Sequence, residues 1–474
     1  MSSAETAVDA GAATQLEAAA ASGRFGKGYR TWLLFLLFVV NILNLADRQG
    51  IAAAAPRFKV DLGLTDTQLG LIQGLGFALF YTMFSLPLAL MADRINRARI
   101  ISACVGVFAV FAAACGVAQN FWQMMLFRIG IGTGDAGFGP PVQSLLGDHY
   151  PPARRTSATT VIWLGAPVGA VVGSIAGGWF AQYIGWRQWF FALAVPAAVI
   201  AVIAVFTLRE PVRGMSDPQG LARGKPPSIP VVFGFLIKKR SFVHVLIGAA
   251  LAATAMNGIG QFLARFMVSN HHMNFAAAGQ MVGEIAGVSM AAGLALGGFG
   301  MDWLAKRDRR WYVWGPAIGM VLTTPLFILG FMQADITAMF LLLVAGHVTM
   351  FVYYTPTLGL AANMVSASMR GTSAWLASLV LGLVGVGLGP TVVGILSDFF
   401  AQQAFAGGNF KAVCPGGRAI LPALEGQCSA ASAAGIQHAV MAIALMSLWA
   451  AVHFLIASRN LAKDLDTSYD TVVA

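Results

Sequence analysis

The chain has 474 residues, of which 57% are apolar and 11% charged, with a formal net charge of +10 and a mean hydropathy of +0.72. Soluble domains carry about 25% charged residues, so these values exclude one and point to a protein that crosses a membrane many times. The basic residues sit in short clusters between apolar runs, not on one face among aromatic platforms, which argues against nucleic acid as a partner.

Residues 1–29 are expected to form a disordered tail; the first part is Ala/Ser/Glu-rich and lacks the short apolar core of a cleavable signal. Twelve predominantly apolar segments follow, at 31–54, 67–92, 98–118, 121–148, 156–183, 188–208, 242–269, 276–304, 311–332, 335–363, 371–401 and 433–458. Each suits a hydrocarbon core about 30 Å thick, and they are numbered here as spans one to twelve. The fold class is therefore an all-α membrane protein. Residues 30–208 and 242–458 form two six-helix bundles, followed by a tail over 459–474. Between the bundles, 209–241 reads as a cytoplasmic linker, since "REPVRGMSDPQGLARGKPPSIP" is rich in Pro, Gly and charge. With both termini cytoplasmic, inner segments carry 22 Lys/Arg and outer loops five, Arg57 and Lys59 among the latter, a strong positive-inside bias.

Charges within spans are few, and each costs about 2.5–3.5 kcal/mol at mid-bilayer on the insertion scale, so each is a functional candidate. Span one holds Asp47 and Arg48, span four Arg128 and Asp135, span seven Arg265 and span eight Glu284. At a rise of 1.5 Å per residue Asp47 lies about 24 Å above the inner start of span one, level with Arg128. Asp135, seven residues on, falls on nearly the same face as Arg128 and about two turns deeper. Asp47, Arg128 and Asp135 are thus expected to relay protons, with Glu284 a further coupling candidate. An acid that loses its base or its water takes up a proton, which would couple protonation to conformation; the alternative is a fixed buried ion pair. Arg48 points about 100° away from Asp47 and is expected to engage another helix or an anionic headgroup. No metal cluster and no nucleophile–base pair of an enzyme is evident, and no cofactor is expected.

The halves echo one another. "ADRINRAR" follows span two and "MDWLAKRDRR" follows span eight, while "RRTSA" and "RGTSA" open spans five and eleven. Span five carries Gly165, Gly169, Gly173 and Gly177 at fourfold spacing, a stripe that serves either close packing or low-friction sliding. Cys414 and Cys428 flank an outer loop, either as a disulfide or as two free thiols.

Parallel six-helix repeats resemble the architecture of the major facilitator superfamily, and "LPLALMADRINRAR" resembles its signature between the second and third helices. That resemblance implies a cytoplasmic gate at Asp93, Arg94 and Arg97, with Asp302 as the second-half counterpart; the alternative is ordinary positive-inside anchoring. "LNLADRQGIAAAAP", "GLTDTQLGLIQGLGFALFYT" and "RIGIGTGDAGFGPPVQSLLGDHYPPARRTSA" resemble the bacterial spinster branch, which moves lysophospholipids or sphingoid lipids, in several cases with protons. Asp47 and Arg48 match that branch's first-helix pair and Arg128 its fourth-helix Arg, while Asp135 stands where the branch usually has Glu. The resemblance implies a monomeric, proton-coupled lipid carrier in a bacterial inner membrane. Arg48, Asn44, His347, Tyr353, Phe262 and Met256 are the candidates to contact an amphiphile, with packing the alternative for the aromatic ones. A drug or small organic-anion carrier on the same scaffold is the second reading, and a receptor or scaffold the third.

Overall fold

The computed structural model describes residues 25–92, 94–150, 152–211, 228–365 and 369–465. Eleven helices in it are long and apolar enough to cross a bilayer. The remaining crossing, span four, is split into Phe121–Ala136 and Gly139–His149. The break falls at Gly137 and Phe138, just before Pro140 and Pro141, where prolines are tolerated because a first helical turn needs no N–H partner.

Some helices outrun their apolar windows. Span one runs Lys27–Asp61 and places Lys59 inside the helix with only 2% exposure, so Arg57 and Lys59 belong to span one and not to an outer loop. Span twelve begins well before 433, in Glu425–Ala444, and includes Cys428. The linker contains an apolar helix, Ile229–Lys238, which leads almost directly into Arg240–Asn270. Spans eight and eleven carry wider π-turns, at Leu296–Gly300 and Leu381–Leu388, a feature frequent at functional positions.

Glycine decides how closely the helices approach. A Cβ at Gly165, Gly169, Gly173 or Gly177 of span five would overlap the carbonyl oxygens of Phe38, Ile42, Ala46 and Gly50 on span one. Span one is thereby held backbone-to-backbone against span five, which fixes the rotation of the turn bearing Asp47. Between the halves, Gly178 of span five abuts Gly279 of span eight, and Gly70 and Gly74 of span two lie against the carbonyls of Pro390 and Gly387 on span eleven. These contacts between the halves lie toward the end of the bundle away from the chain termini, called the outer end below.

Candidate functional site

Two ion pairs link spans one and four. Arg128 Nη1 donates to Asp47 Oδ2 at 2.6 Å, with both side chains at most 2% exposed. Asp47 Oδ1 and Arg128 Nε are buried without a hydrogen-bond partner. Arg48 turns the other way and meets Asp135, Nη2 to Oδ2 at 3.5 Å. Its guanidinium lies 4.1 Å from the Phe77 ring centroid and 5.5 Å from that of Tyr81. Arg128 lies 5.5 Å from the same Phe77 ring, so both cations pack near one aromatic ring of span two. Asn44, one turn before Arg48, reaches Asp135 Oδ1 at 3.2 Å once its amide is oriented to donate.

The single stripe expected to run from Arg128 to Asp135 is therefore two parallel pairs. Adjacent residues of a helix diverge by about 100°, which sends Asp47 to Arg128 and Arg48 to Asp135. The acid of the second pair sits at the last turn before the break in span four. Nothing in the apolar pattern signals that pairing.

Two adjoining cavities open beside these pairs. One is lined by Arg48, Arg128, Gln73, Phe77, Leu45 and Val386, and the other by Met256, Leu263, Val282, Ile285, His347 and Phe351, among others; Gln49, Asn257 and Gln261 line both. Polar groups thus gather at the ion-paired end and apolar ones between spans seven, eight and ten. Met256 and His347 line the second cavity, with His347 Nδ1 2.8 Å from the Leu343 carbonyl oxygen.

Other candidates fall elsewhere. Phe262 and Tyr353 are fully buried in the apolar core and line neither cavity; Tyr353 lies in the turn between Ile336–Phe351 and Tyr354–Asn363. Glu284 is exposed and accepts a hydrogen bond from Gln280 at 2.9 Å. It lies about 200° around its helix from Val282 and Ala286, which line the cavity, so it is not brought to Asp47. Asp93 lies outside the described residues. Arg94 is exposed at a turn, and Asp302 accepts from the Tyr312 hydroxyl at 2.9 Å.

The family model described as Major Facilitator Superfamily matches residues 37–390. A crystal structure of a bacterial homologue of the human lysosomal transporter spinster, inward-facing and unoccupied, is 30% identical over 93% of this chain and 99% of its own, with a TM-score of 0.85. The chain belongs to this superfamily, in its spinster branch. Among curated relatives, an MFS-type efflux pump of Mycolicibacterium smegmatis is 27% identical over 376 residues, 78% of this chain and 85% of the pump. A sphingosine-1-phosphate transporter of Mus musculus is 24% identical over 389 residues, 78% of this chain and 70% of its own.

In this transporter the outer end carries an ion cluster that the apolar pattern conceals. Lys59 Nζ lies 2.7 Å from Asp66 Oδ1, and Arg265 Nε lies 3.4 Å from the same oxygen. Ser397 donates to Asp66 Oδ2 at 2.8 Å. Next to it, Asp398 accepts from the backbone N–H groups of Asp66 and Thr67 and from the Thr67 hydroxyl, at 3.0, 3.0 and 2.6 Å. A carboxylate of span eleven thus completes the N-terminus of span two, where unpaired N–H groups attract negative charge. These contacts join the first half to the second. At the other end, buried Arg97 binds Asp148 and Glu210, each at 2.6 Å, and the Ser144 carbonyl at 3.0 Å. Those bonds tie spans three, four and six together within the first half. Among the described gate residues, Arg97 is the one so held. Cys414 is bonded to Cys428.

Proposed function

We propose that this chain is a proton-coupled secondary transporter of a single-chain amphiphilic lipid, working by alternating access in a bacterial inner membrane with both termini cytoplasmic. The observation that carries the reading is the buried Asp47–Arg128 pair, 2.6 Å apart beside the cavity. Each ion is stable there chiefly because the other is present. Protonating Asp47 discharges the pair and frees Arg128, whose charge must then find water or another acid, so the proton and the helix positions change together. Asp135, on the same helix and already shared between Arg48 and Asn44, is the nearest recipient of that rearrangement.

The division of the cavities into polar and apolar ends supports an amphiphile, as does the similarity to a transporter named for sphingosine-1-phosphate. The closed outer cluster and the inward-facing neighbour support one end of an alternating cycle, with loading from the cytoplasmic side. The positive-inside bias supports the orientation.

The test is transport in reconstituted vesicles. Labelled lysolipid should move in response to a pH gradient, and Asp47→Asn should reduce the driven component at least tenfold. Gradient-independent flux in the native protein, or full driven flux in Asp47→Asn, removes the coupling. Movement of soluble organic anions without lysolipid favours the second reading.

A further inference from the structure

The proton and ion chemistry leaves a group of polar side chains at the cavity unused. Gln73 of span two is only 4% exposed, lines the polar cavity, and has both amide atoms buried without a partner. Burying an amide unpaired is costly, about 1–3 kcal/mol for each group left unsatisfied, so an arrangement of this kind is explained most directly by a ligand that supplies the missing bonds. Around it, Gln49 of span one and Asn257 and Gln261 of span seven line both cavities. Asn257 Nδ2 donates one hydrogen bond to the Ala253 carbonyl oxygen at 2.9 Å, which leaves its second N–H and its oxygen to present. The four amides come from both halves of the protein; Gln49, Asn257 and Gln261 lie where the two cavities join, and Gln73 lies in the polar one.

Charge then decides what these amides would take. The ionised groups that line the polar cavity are Arg48 and Arg128, and each is already paired with a carboxylate behind it, Arg48 with Asp135 and Arg128 with Asp47. While both pairs are ionised, no net charge remains there to balance that of a ligand. An anionic phosphate calls for surplus Arg, Lys or backbone N–H donors, and an ammonium group for a surplus carboxylate. Amides are different, because each offers both donors and an acceptor, the complement of a hydroxyl group that also does both.

We propose that Gln49, Gln73, Asn257 and Gln261 form a headgroup subsite selective for a hydroxyl-rich headgroup without net charge, such as a glycerol or sugar unit. The acyl chain of the same molecule lies in the apolar cavity along Met256, Leu263, Val282, Ile285 and Phe351. This rests on the amphiphile reading above and narrows it to the headgroup.

The test is equilibrium binding to the purified full chain in lipid nanodiscs, with two radiolabelled probes that share one oleoyl chain: a glucosyl monoacylglycerol and a lysophosphatidate. The glucoside should bind at least tenfold more tightly. Gln73→Leu and Gln261→Leu should each weaken the glucoside at least tenfold while changing lysophosphatidate less than twofold; the second variant carries the test if the first does not fold. Equal or tighter binding of lysophosphatidate by the native protein overturns the proposal, as does an equal weakening of both probes in a folded variant. Those results leave the amphiphile reading standing. Binding of neither probe, together with transport of a soluble organic ion, overturns both.

Discussion

Asp47 and Arg48 are neighbours in the chain that serve different partners, and the two partners differ in how far sequence could identify them. Counting helical rise from each end brings Asp47 level with Arg128, because both positions are set by unbroken helix; the Arg48–Asp135 pair depends on how span four ends, and a break at Gly137 is invisible to hydropathy. Glutamines were harder still, since a neutral amide in an apolar run carries no charge to mark it, and Gln73 became notable only through its burial without partners. Burial also sets what a charge is worth. Arg97→Leu removes the buried cation that binds both Asp148 and Glu210 and should destabilise the protein by about 3–5 kcal/mol, read as a clear fall in thermal midpoint in detergent. Asp302→Asn, at an exposed site, should stay within about 0.5 kcal/mol. Equal midpoints for the two variants would contradict the ranking.

Helices rather than single residues determine where the ion pairs can be. The fourfold glycine stripe of span five was readable from spacing alone, but its partner was not, because spacing says which face is smooth and not which neighbour lies on it. The neighbour is span one at the turn of Asp47. Gly173→Val should therefore force spans one and five apart, cost about 1–3 kcal/mol of stability by overpacking, and abolish driven transport even where the protein still inserts. Gly359→Ala, where an added Cβ meets nothing within 4 Å, is the matched control and should keep both stability and transport. If Gly173→Val transported normally, the stripe would not be what positions Asp47. The linker shows the opposite weakness of sequence: Ile229–Lys238 is only ten residues long and begins beside a proline, so its surroundings of Pro, Gly and charge read as loop.

At the scale of the molecule, the two six-helix bundles were legible from twelve apolar windows and a charge bias, whereas the cluster that joins them was not. Lys59 and Asp66 fall between the apolar windows 31–54 and 67–92 and so read as loop residues; Asp398 lies within span eleven with no partner nearby in sequence. The contact between them exists only because spans two and eleven meet at their outer ends. Asp398→Ala removes the acceptor for three hydrogen bonds from the start of span two. It should raise the labelling rate of a Gln73→Cys reporter by a membrane-impermeant thiol reagent several-fold from the outer side. An unchanged rate would mean that the cluster does not hold that end closed. Over this cluster lies a turn that only glycine permits, with Gly416 and Gly417 at φ +65° and +85° and a Cβ on Gly417 only 3.6 Å from both Lys59 Nζ and Arg265 Nη2. The Cys414–Cys428 bond ties that turn to the first helix of span twelve. Such bonds persist in oxidising compartments and not in the reducing cytosol. On the proposed orientation, a chain whose last two spans insert the wrong way round keeps two free thiols and an unroofed ion cluster. Correct insertion is thus recorded chemically, at the point where the two bundles close.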